Sequence, residues 1–188
     1  YRERVKRVAE QVQQLTQRPP PAGSESGLVA DFESGKVEAA FGSGWQPSSS
    51  GESKVELNVT RKGAKKSKFA LEIRGTIAAA SLPNTWAGAN FVTSLTPMHS
   101  ENLSGFKRLR FWVRSQTTAA ITVMLFDQKL GTMPAHTQVE VSKKWTEVVL
   151  EVGQSFDLES MSGLQAVYFG GPTTAGDFAF QVDDIRFE

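Results

Sequence analysis

The sequence contains no cysteine and only two histidines. Without cysteine there is no disulfide bond, no thiolate metal ligand and no cysteine nucleophile. Neither His99 nor His136 has a neighbouring ligand at the spacing of a zinc site. The G-x-S-x-G nucleophile motif, the Walker phosphate loop and the H-E-x-x-H zinc motif are all missing. We therefore expect this chain to be non-catalytic.

A strong net charge and long apolar runs are also lacking. The 21 Lys and Arg residues nearly balance the 20 Asp and Glu residues, which leaves a net charge of +1. This balance gives no overall field for nucleic acid or anionic lipid. No apolar run approaches the roughly 20 residues of a membrane-spanning helix. We therefore expect neither a nucleic-acid partner nor a membrane span.

The first 27 residues differ in composition from the rest of the chain. In residues 1–18, apolar side chains recur at helical spacing without an intervening Gly or Pro, and this predicts an amphipathic helix. The helix ends at three prolines, and residues 19–27 form a Pro/Gly/Ser linker. The apolar side of this helix either packs on its own domain or docks on a preceding domain. Because the sequence does not begin with Met, we expect it to be part of a larger protein.

From residue 28 onward, short runs of alternating apolar and polar residues are separated by Gly, Ser, Pro and Asn. Their spacing of about 8–12 residues is typical of an all-β sandwich or barrel. We predict one β-sandwich domain over residues 28–188, preceded by the short helix. The predicted strands are 28–33, 37–41, 54–60, 68–74, 86–93, 106–114, 120–127, 136–141, 145–150, 164–169 and 178–187.

Several of these strands alternate strictly, which places one face in a core and the other in water. Strand 120–127 differs because it carries apolar residues on both faces. It is either covered on both sides or presents apolar groups on a concave face. Two segments between strands are predicted to be irregular. Residues 43–51 are a flexible loop, and the basic run 61–66 is the solvated tip of a hairpin.

The end of the chain contains a change of face. Phe178, Phe180 and Val182 have one parity, whereas Ile185 and Phe187 have the other. Side chains alternate strictly along a strand, so the switch requires a β-bulge at Asp183-Asp184. A second acidic pair, Asp31 and Glu33, lies in the first predicted strand. Either these carboxylates join the two strands through a calcium ion, or an aspartate accepts backbone hydrogen bonds at the bulge while the others face water.

A second group of candidate binding residues is Arg110-x-Trp112-x-Arg114, whose three side chains share one strand face. Flat aromatic rings stack on sugar faces, and polar side chains beside them bond the hydroxyls. Such a group makes a polar platform with an aromatic floor. Alternatively, Trp112 packs against the protein and the arginines cover it.

Four short motifs lie at the start, in the middle and at the end of the predicted sandwich, namely Leu28-Val-Ala-Asp-Phe-Glu-Ser-Gly35, Trp86-Ala-Gly88, Phe106-Lys-Arg-Leu-Arg-Phe-Trp-Val113 and Gly176-Asp-Phe-Ala-Phe-Gln-Val-Asp-Asp-Ile185. Together they resemble the complex I intermediate-associated protein 30 family, whose galactose-binding-like jelly roll is similar to family 11 carbohydrate-binding modules. The resemblance covers about residues 28–188 and implies a two-sheet antiparallel sandwich with a concave face. It also implies a structural calcium held by Asp31 or Glu33 together with Asp183 or Asp184.

Bacterial domains of this kind are often C-terminal accessories of exported hydrolases, including metal-dependent amidohydrolases. The resemblance therefore implies a non-catalytic accessory module of a larger exported bacterial hydrolase, located in the periplasm or outside the cell. We expect carbohydrate as its ligand, on the concave face. The alternative is an interaction or assembly domain with no small-molecule ligand. The residues predicted to line the ligand site are Arg110, Trp112, Arg114, Met124, Phe126 and Tyr168.

Overall fold

The computed structural model describes residues 25–79, 85–96 and 98–188. Within these ranges the chain forms two antiparallel β-sheets that pack face to face, as the alternating pattern predicts. The predicted helix over residues 1–18 and most of the predicted linker over residues 19–27 lie outside the described residues. In the part of the chain that the structure describes, no helix combines the length and apolarity needed to cross a membrane.

Among the described residues, eleven strands make up the two sheets. In chain order they are β1 (Leu28–Ala30), β2 (Gly44–Ser49), β3 (Lys54–Arg61), β4 (Phe69–Ile77), β5 (Ala87–Val92), β6 (Arg108–Arg114), β7 (Ala120–Asp127), β8 (Ala135–Glu140), β9 (Thr146–Glu151), β10 (Leu164–Gly170) and β11 (Gly176–Phe187). A 3-10 turn, Gln128–Leu130, follows β7, and a one-turn helix α1, Val152–Ser155, follows β9.

Sheet A has the strand order β3-β4-β11-β6-β9, and β1 pairs with β11 beside this path. Sheet B has the order β2-β5-β10-β7-β8. Inward side chains from both sheets form one core, in which Phe111 of sheet A meets Phe169 of sheet B edge to face at 5.0 Å. Residues of the opposite parity therefore point away from the core on the two outer faces.

Two of the predictions between residues 37 and 51 are wrong. Residues 37–41 form no strand, and residues 44–49 of the predicted loop form strand β2, which pairs with β5 at the edge of sheet B. Its Gly-, Ser- and Pro-containing sequence looks like a loop, yet an edge strand tolerates Pro47 because one row of its N–H groups needs no partner strand. Trp45 on this strand is buried and packs against Phe91 and Phe169.

The predicted bulge at the end of the chain is confirmed. In the pairing of β11 with β6, Asp183 lies opposite Trp112 and Arg186 lies opposite Arg110, so three steps on β11 match two on β6. The extra residue turns Ile185 into the core, where Val182 also lies. Asp184 adopts a left-handed backbone conformation, with φ of 46°.

Candidate functional site

The four acidic residues predicted to bind calcium line one cleft on the outer side of sheet A, together with Trp112 and residues 64–67 of the β3–β4 loop. Asp183 is fully buried, and its two oxygens accept hydrogen bonds from the backbone N–H groups of Ala64, at 2.7 Å, and Asp184, at 2.8 Å. The Asp183 carboxylate thus connects β11 to the β3–β4 loop. Burial raises the pKa of Asp183, because the charged form loses its hydration, although these N–H groups oppose the rise.

Glu33 holds the other end of the same loop. Its Oε1 accepts hydrogen bonds from the hydroxyl of Ser67, at 2.6 Å, and the N–H of Lys68, at 2.8 Å. The hydroxyl of Ser67 and the N–H of Lys68 hold the pKa of Glu33 below its usual value. The early and late acidic residues therefore meet around one loop, which they hold through its backbone.

This arrangement does not fit a calcium site as it stands. A calcium ion needs six to eight oxygen ligands directed at one point. Here the Asp184 carboxylate contacts the guanidinium groups of Arg110 and Arg186, and Asp31 Oδ1 accepts a hydrogen bond from the N–H of Glu33 at 3.2 Å. Among the described residues, no group of three or more acidic or histidine side chains is placed to hold a metal ion.

The predicted Arg-Trp-Arg platform on β6 is covered by the protein's own polar groups. Arg110 pairs with Glu147 at 2.9 Å, with Glu188 at 2.6 Å and with Asp184 at 3.3 Å. Lys65 Nζ lies 4.3 Å from the ring centre of Trp112. Trp112 thus lies beneath Lys65 of the β3–β4 loop, whereas the alternative drawn from the sequence has the two arginines covering the ring.

Arg114 is engaged in the same way. Its Nε donates a hydrogen bond to Gln181 Oε1 at 2.7 Å, and its guanidinium group lies 4.6 Å from the ring centre of Trp145. Its Nη2 makes a third contact, a hydrogen bond donated to the carbonyl of Lys62. The guanidinium is therefore held by protein contacts on three sides.

The other three predicted lining residues lie on the opposite side of the sandwich. Met124 and Phe126 alternate with the core residues of β7, and Tyr168 lies between the core residues Val167 and Phe169 of β10. All three therefore belong to the outer face of sheet B. The six predicted residues do not line one site, because β6 belongs to sheet A.

One row of side chains crosses all five strands of sheet B. The pairing register aligns its members as Gln46, Asn90, Tyr168, Met124 and His136. The row is apolar in the middle and carries amides and an imidazole toward its ends, with no Asp, Glu, Lys or Arg. We call this row, together with Trp86 and Phe126 on the same face, the sheet B platform.

Trp86 is the most exposed aromatic side chain in the described part of the chain, at 45%. It directly precedes the buried Ala87, so alternation places it on the outer face of sheet B. Its indole Nε1 donates a hydrogen bond to Ser48 Oγ at 3.2 Å, and its backbone N–H donates to Ser50 Oγ at 2.9 Å. The ring is thus both accessible and fixed in orientation, which lowers the entropic cost of stacking a ligand on it.

Tyr168 lies beneath the surface of the platform. A Cβ added to Gly170 would lie 2.2 Å from Tyr168 Oη, and one added to Gly88 would lie 2.7 Å from Tyr168 Cζ. The phenol ring therefore occupies the space above two glycines and is only 3% exposed. Burial raises the pKa of its hydroxyl, which stays protonated at neutral pH.

Asn90, beside Tyr168, has a buried Oδ1 with no hydrogen-bond partner among the described residues. Asn90, Gln46 and His136 were not predicted from the sequence to bind a ligand. The small residues after Trp86 indicated close packing or an open site above the sheet, but Trp86 was not among the predicted lining residues. The available signal was the alternation of Trp86, Gly88 and Asn90 in the predicted strand 86–93. This signal could be interpreted only with the knowledge that β10 and β2 flank β5. The tertiary fold determines these strand pairings.

The structure is similar to solved carbohydrate-binding modules. The family 11 module of the cellulase Lic26A-Cel5E of Clostridium thermocellum matches with a TM-score of 0.62 and 15% identity, over 85% of this chain and 92% of that one. The family 11 module from Clostridium thermocellum in complex with a β-1,3-1,4-mixed-linked tetrasaccharide matches with a TM-score of 0.63 and 15% identity, over 86% and 94%. An exo-β-agarase matches with a TM-score of 0.60 and 13% identity, over 87% of this chain but 24% of the agarase.

These identities show a shared fold. No family model matches the sequence, and no curated protein sequence matches it either. Membership in the complex I intermediate-associated protein 30 family therefore stays a prediction, whereas the two-sheet sandwich of the carbohydrate-binding modules is established for this chain.

Proposed function

We propose that this domain is a non-catalytic carbohydrate-binding module and that it binds sugar on the sheet B platform. The observation that carries this proposal is Trp86, an exposed ring whose indole N–H donates a hydrogen bond to Ser48. An aromatic surface beside neutral hydrogen-bonding side chains suits a sugar, which has an apolar face and a rim of hydroxyls. The fold shared with carbohydrate-binding modules supports the same assignment.

The other outer face is less suited to this role. On sheet A, Arg110 and Arg114 already bond to the protein, and Trp112 and Trp145 lie under cationic groups. A sugar would have to displace these contacts to reach either ring. Of the residues predicted from the sequence, we therefore assign Met124, Phe126 and Tyr168 to the ligand-binding face.

Affinity gel electrophoresis with neutral soluble polysaccharides tests this proposal. We expect at least one polysaccharide to retard the domain, and we expect Trp86→Ala to abolish the retardation without changing the melting temperature. Val149→Ala is the matched control, because Val149 is 46% exposed but lies on sheet A. No retardation by any polysaccharide, or equal retardation of the wild type and Trp86→Ala, would overturn the proposal.

We further infer that the domain is the C-terminal accessory part of a larger exported bacterial hydrolase of the amidohydrolase type. The agarase match supports an accessory role, since a region similar to this chain makes up 24% of that enzyme. Sequencing of the gene upstream of the codon for Tyr1 tests this inference. A hydrolase domain and an export signal are expected there, and an unrelated reading frame that ends before Tyr1 would contradict it.

A protein-assembly role without a small ligand is the second candidate. Three large apolar side chains are exposed on loops that leave sheet B, namely Leu95 at 71%, Met98 at 87% and Met133 at 74%. Exposed apolar groups of this kind occur at protein interfaces. If Met98→Ser and Met133→Ser weaken binding to the rest of the parent protein while no glycan is bound, the assembly role is favoured.

The calcium prediction is tested by thermal melting. A ligand that binds only the native state must raise its melting temperature. A higher melting temperature in calcium than in chelator would support a structural ion at Asp31, Glu33, Asp183 and Asp184. Equal melting temperatures in calcium and in chelator would indicate that these carboxylates act only as acceptors for the N–H and guanidinium groups that they contact.

A further inference from the structure

The segment from the last residue of β3 to the start of β4, residues 61–68, is an exposed basic surface, which we call the basic loop. Five of its eight residues are cationic and exposed, namely Arg61, Lys62, Lys65, Lys66 and Lys68. In the described ranges, none of these five cationic groups has a carboxylate oxygen within 4.0 Å. The loop therefore presents a concentrated positive charge to solvent.

In contrast to the basic loop, three arginines elsewhere on the outer face of sheet A pair with carboxylates. Arg108 pairs with Glu151 at 2.5 Å, Arg110 contacts three carboxylates, and Arg186 pairs with Asp184. These three arginines are thus neutralised by nearby acids, whereas Arg114 on the same face contacts neutral groups. Among the described residues, the five cationic groups of the basic loop form no salt bridge, although four acidic side chains line the cleft beside it and the charge of Lys68 helps to lower the pKa of Glu33.

The backbone of the basic loop is held in place by the protein. Asp183 accepts the N–H of Ala64, Glu33 accepts the N–H of Lys68, and Arg114 donates to the carbonyl of Lys62 at 3.2 Å. A Cβ at Gly63 would lie 2.3 Å from the carbonyl oxygen of Phe69, so the loop packs closely against β4. A solvated hairpin tip, which the sequence predicts here, needs no such anchoring.

Two lysines of the loop occupy positions that suit glycine better. Lys62 has φ of 69° and Lys65 has φ of 50°, both in the left-handed region. A residue with a Cβ is disfavoured there, and Gly or Asn is more common. Lysine at both positions therefore places a charged side chain where backbone preference alone would select a smaller residue.

We propose that the basic loop is a second binding surface, for a polysaccharide that carries repeated carboxylate or sulfate groups. Lys ammonium groups act as point charges and attract such anions without a fixed fork geometry. A polymer with many charges contacts several lysines at once and releases counterions. The loop contributes no aromatic ring for stacking bases, and Lys65 covers Trp112, which disfavours single-stranded nucleic acid.

The proposal is independent of the neutral-sugar site. The basic loop joins two strands of sheet A and contacts side chains on its outer side, whereas Trp86 lies on the outer face of sheet B. The two surfaces can therefore be removed separately. Loss of one type of binding identifies the surface that carries it.

The test is binding to polygalacturonate and to dextran sulfate at low salt, with Lys62→Gln/Lys66→Gln/Lys68→Gln as the variant. These substitutions keep the backbone bonds that hold the loop. The control Lys54→Gln/Lys107→Gln/Lys129→Gln removes three exposed lysines elsewhere, so both triple variants have the same net charge. We expect the loop variant to lose affinity by on the order of tenfold or more, with a shallower dependence on salt.

We expect the control triple variant and Trp86→Ala to bind both anionic polymers as the wild type does. Binding to polygalacturonate but not dextran sulfate would identify carboxylates as the anion, and the converse would identify sulfates. The proposal is overturned if the wild type binds neither polymer, if the two triple variants lose affinity equally, or if duplex DNA binds the wild type more tightly than either polysaccharide.

Discussion

Replacement of Asp183 by Ala should destabilise the domain more than any other single change among its four clustered acidic residues. Asp183 is fully buried, and its oxygens accept the N–H groups of Ala64 and Asp184. Alanine leaves the buried N–H of Ala64 and the half-buried N–H of Asp184 without these acceptors. A buried donor that loses its partner costs about 1–3 kcal/mol.

The loss is partly offset because a buried charge disappears with the side chain. Its desolvation is what raises the pKa of Asp183. We therefore expect a net loss of about 2–3 kcal/mol of unfolding free energy. For a domain of this size, that corresponds to a melting temperature lower by about 5–10 °C.

Thermal and urea unfolding of Asp183→Ala measure this loss. Asp184→Asn is the matched control, since Asp184 is partly exposed and Asn tolerates its left-handed backbone. Loss of its ion pairs should cost at most about 1 kcal/mol. Equal stabilities of the two variants would refute the view that Asp183 fastens the β3–β4 loop to the end of β11.

Three further outcomes are expected. Gly63→Ala should lose about 1–3 kcal/mol because the new Cβ would lie 2.3 Å from the Phe69 carbonyl oxygen, whereas Gly105→Ala, with no atom within 4 Å of its Cβ, should be nearly neutral in urea unfolding. Because the pKa of Asp183 is higher in the folded state than its ordinary value of 3.8, protonation of this carboxyl stabilises the fold. The stabilisation is complete below pH 3.8 and is lost as the pH rises through the pKa of the folded state. The stability of Asp183→Asn relative to the wild type should therefore increase with pH across that range, and a difference that stays constant would contradict the shift. Because the pKa of Glu33 is lower in the folded state than its ordinary value of 4.5, the ionised form of this carboxyl stabilises the fold. The stability lost in Glu33→Gln should therefore be fully present above pH 4.5 and shrink as the pH falls through the pKa of the folded state. The difference between the unfolding free energies of the wild type and Glu33→Gln measures this loss.

The fold followed from the sequence because alternation is a local signal. The face change at Asp183-Asp184 was visible in the parity of Val182 and Ile185 alone, and the structure places a bulge there. Strand β2 was missed because Gly44 and Pro47 are turn-forming residues and its strand character depends on pairing with β5. Local composition cannot report such a partner.

The candidate site was predictable only in part, for a related reason. Arg110, Trp112 and Arg114 share a strand face, but their partners Glu147, Gln181 and Glu188 are distant in sequence. Sequence spacing therefore could not show that these side chains were already engaged. In the same way, the row that contains Asn90 and His136 exists only through the order of the five strands in sheet B.

The most direct test of the sugar-binding proposal is an NMR titration that follows the indole N–H signals of the four tryptophans. A neutral oligosaccharide from the best-bound polysaccharide is added to the isotope-labelled domain. We predict that the Trp86 signal shifts with ligand concentration while those of Trp112 and Trp145 stay in place. Shifts of Trp112 or Trp145 with an unchanged Trp86 signal would place the site on sheet A and contradict the sugar-binding proposal.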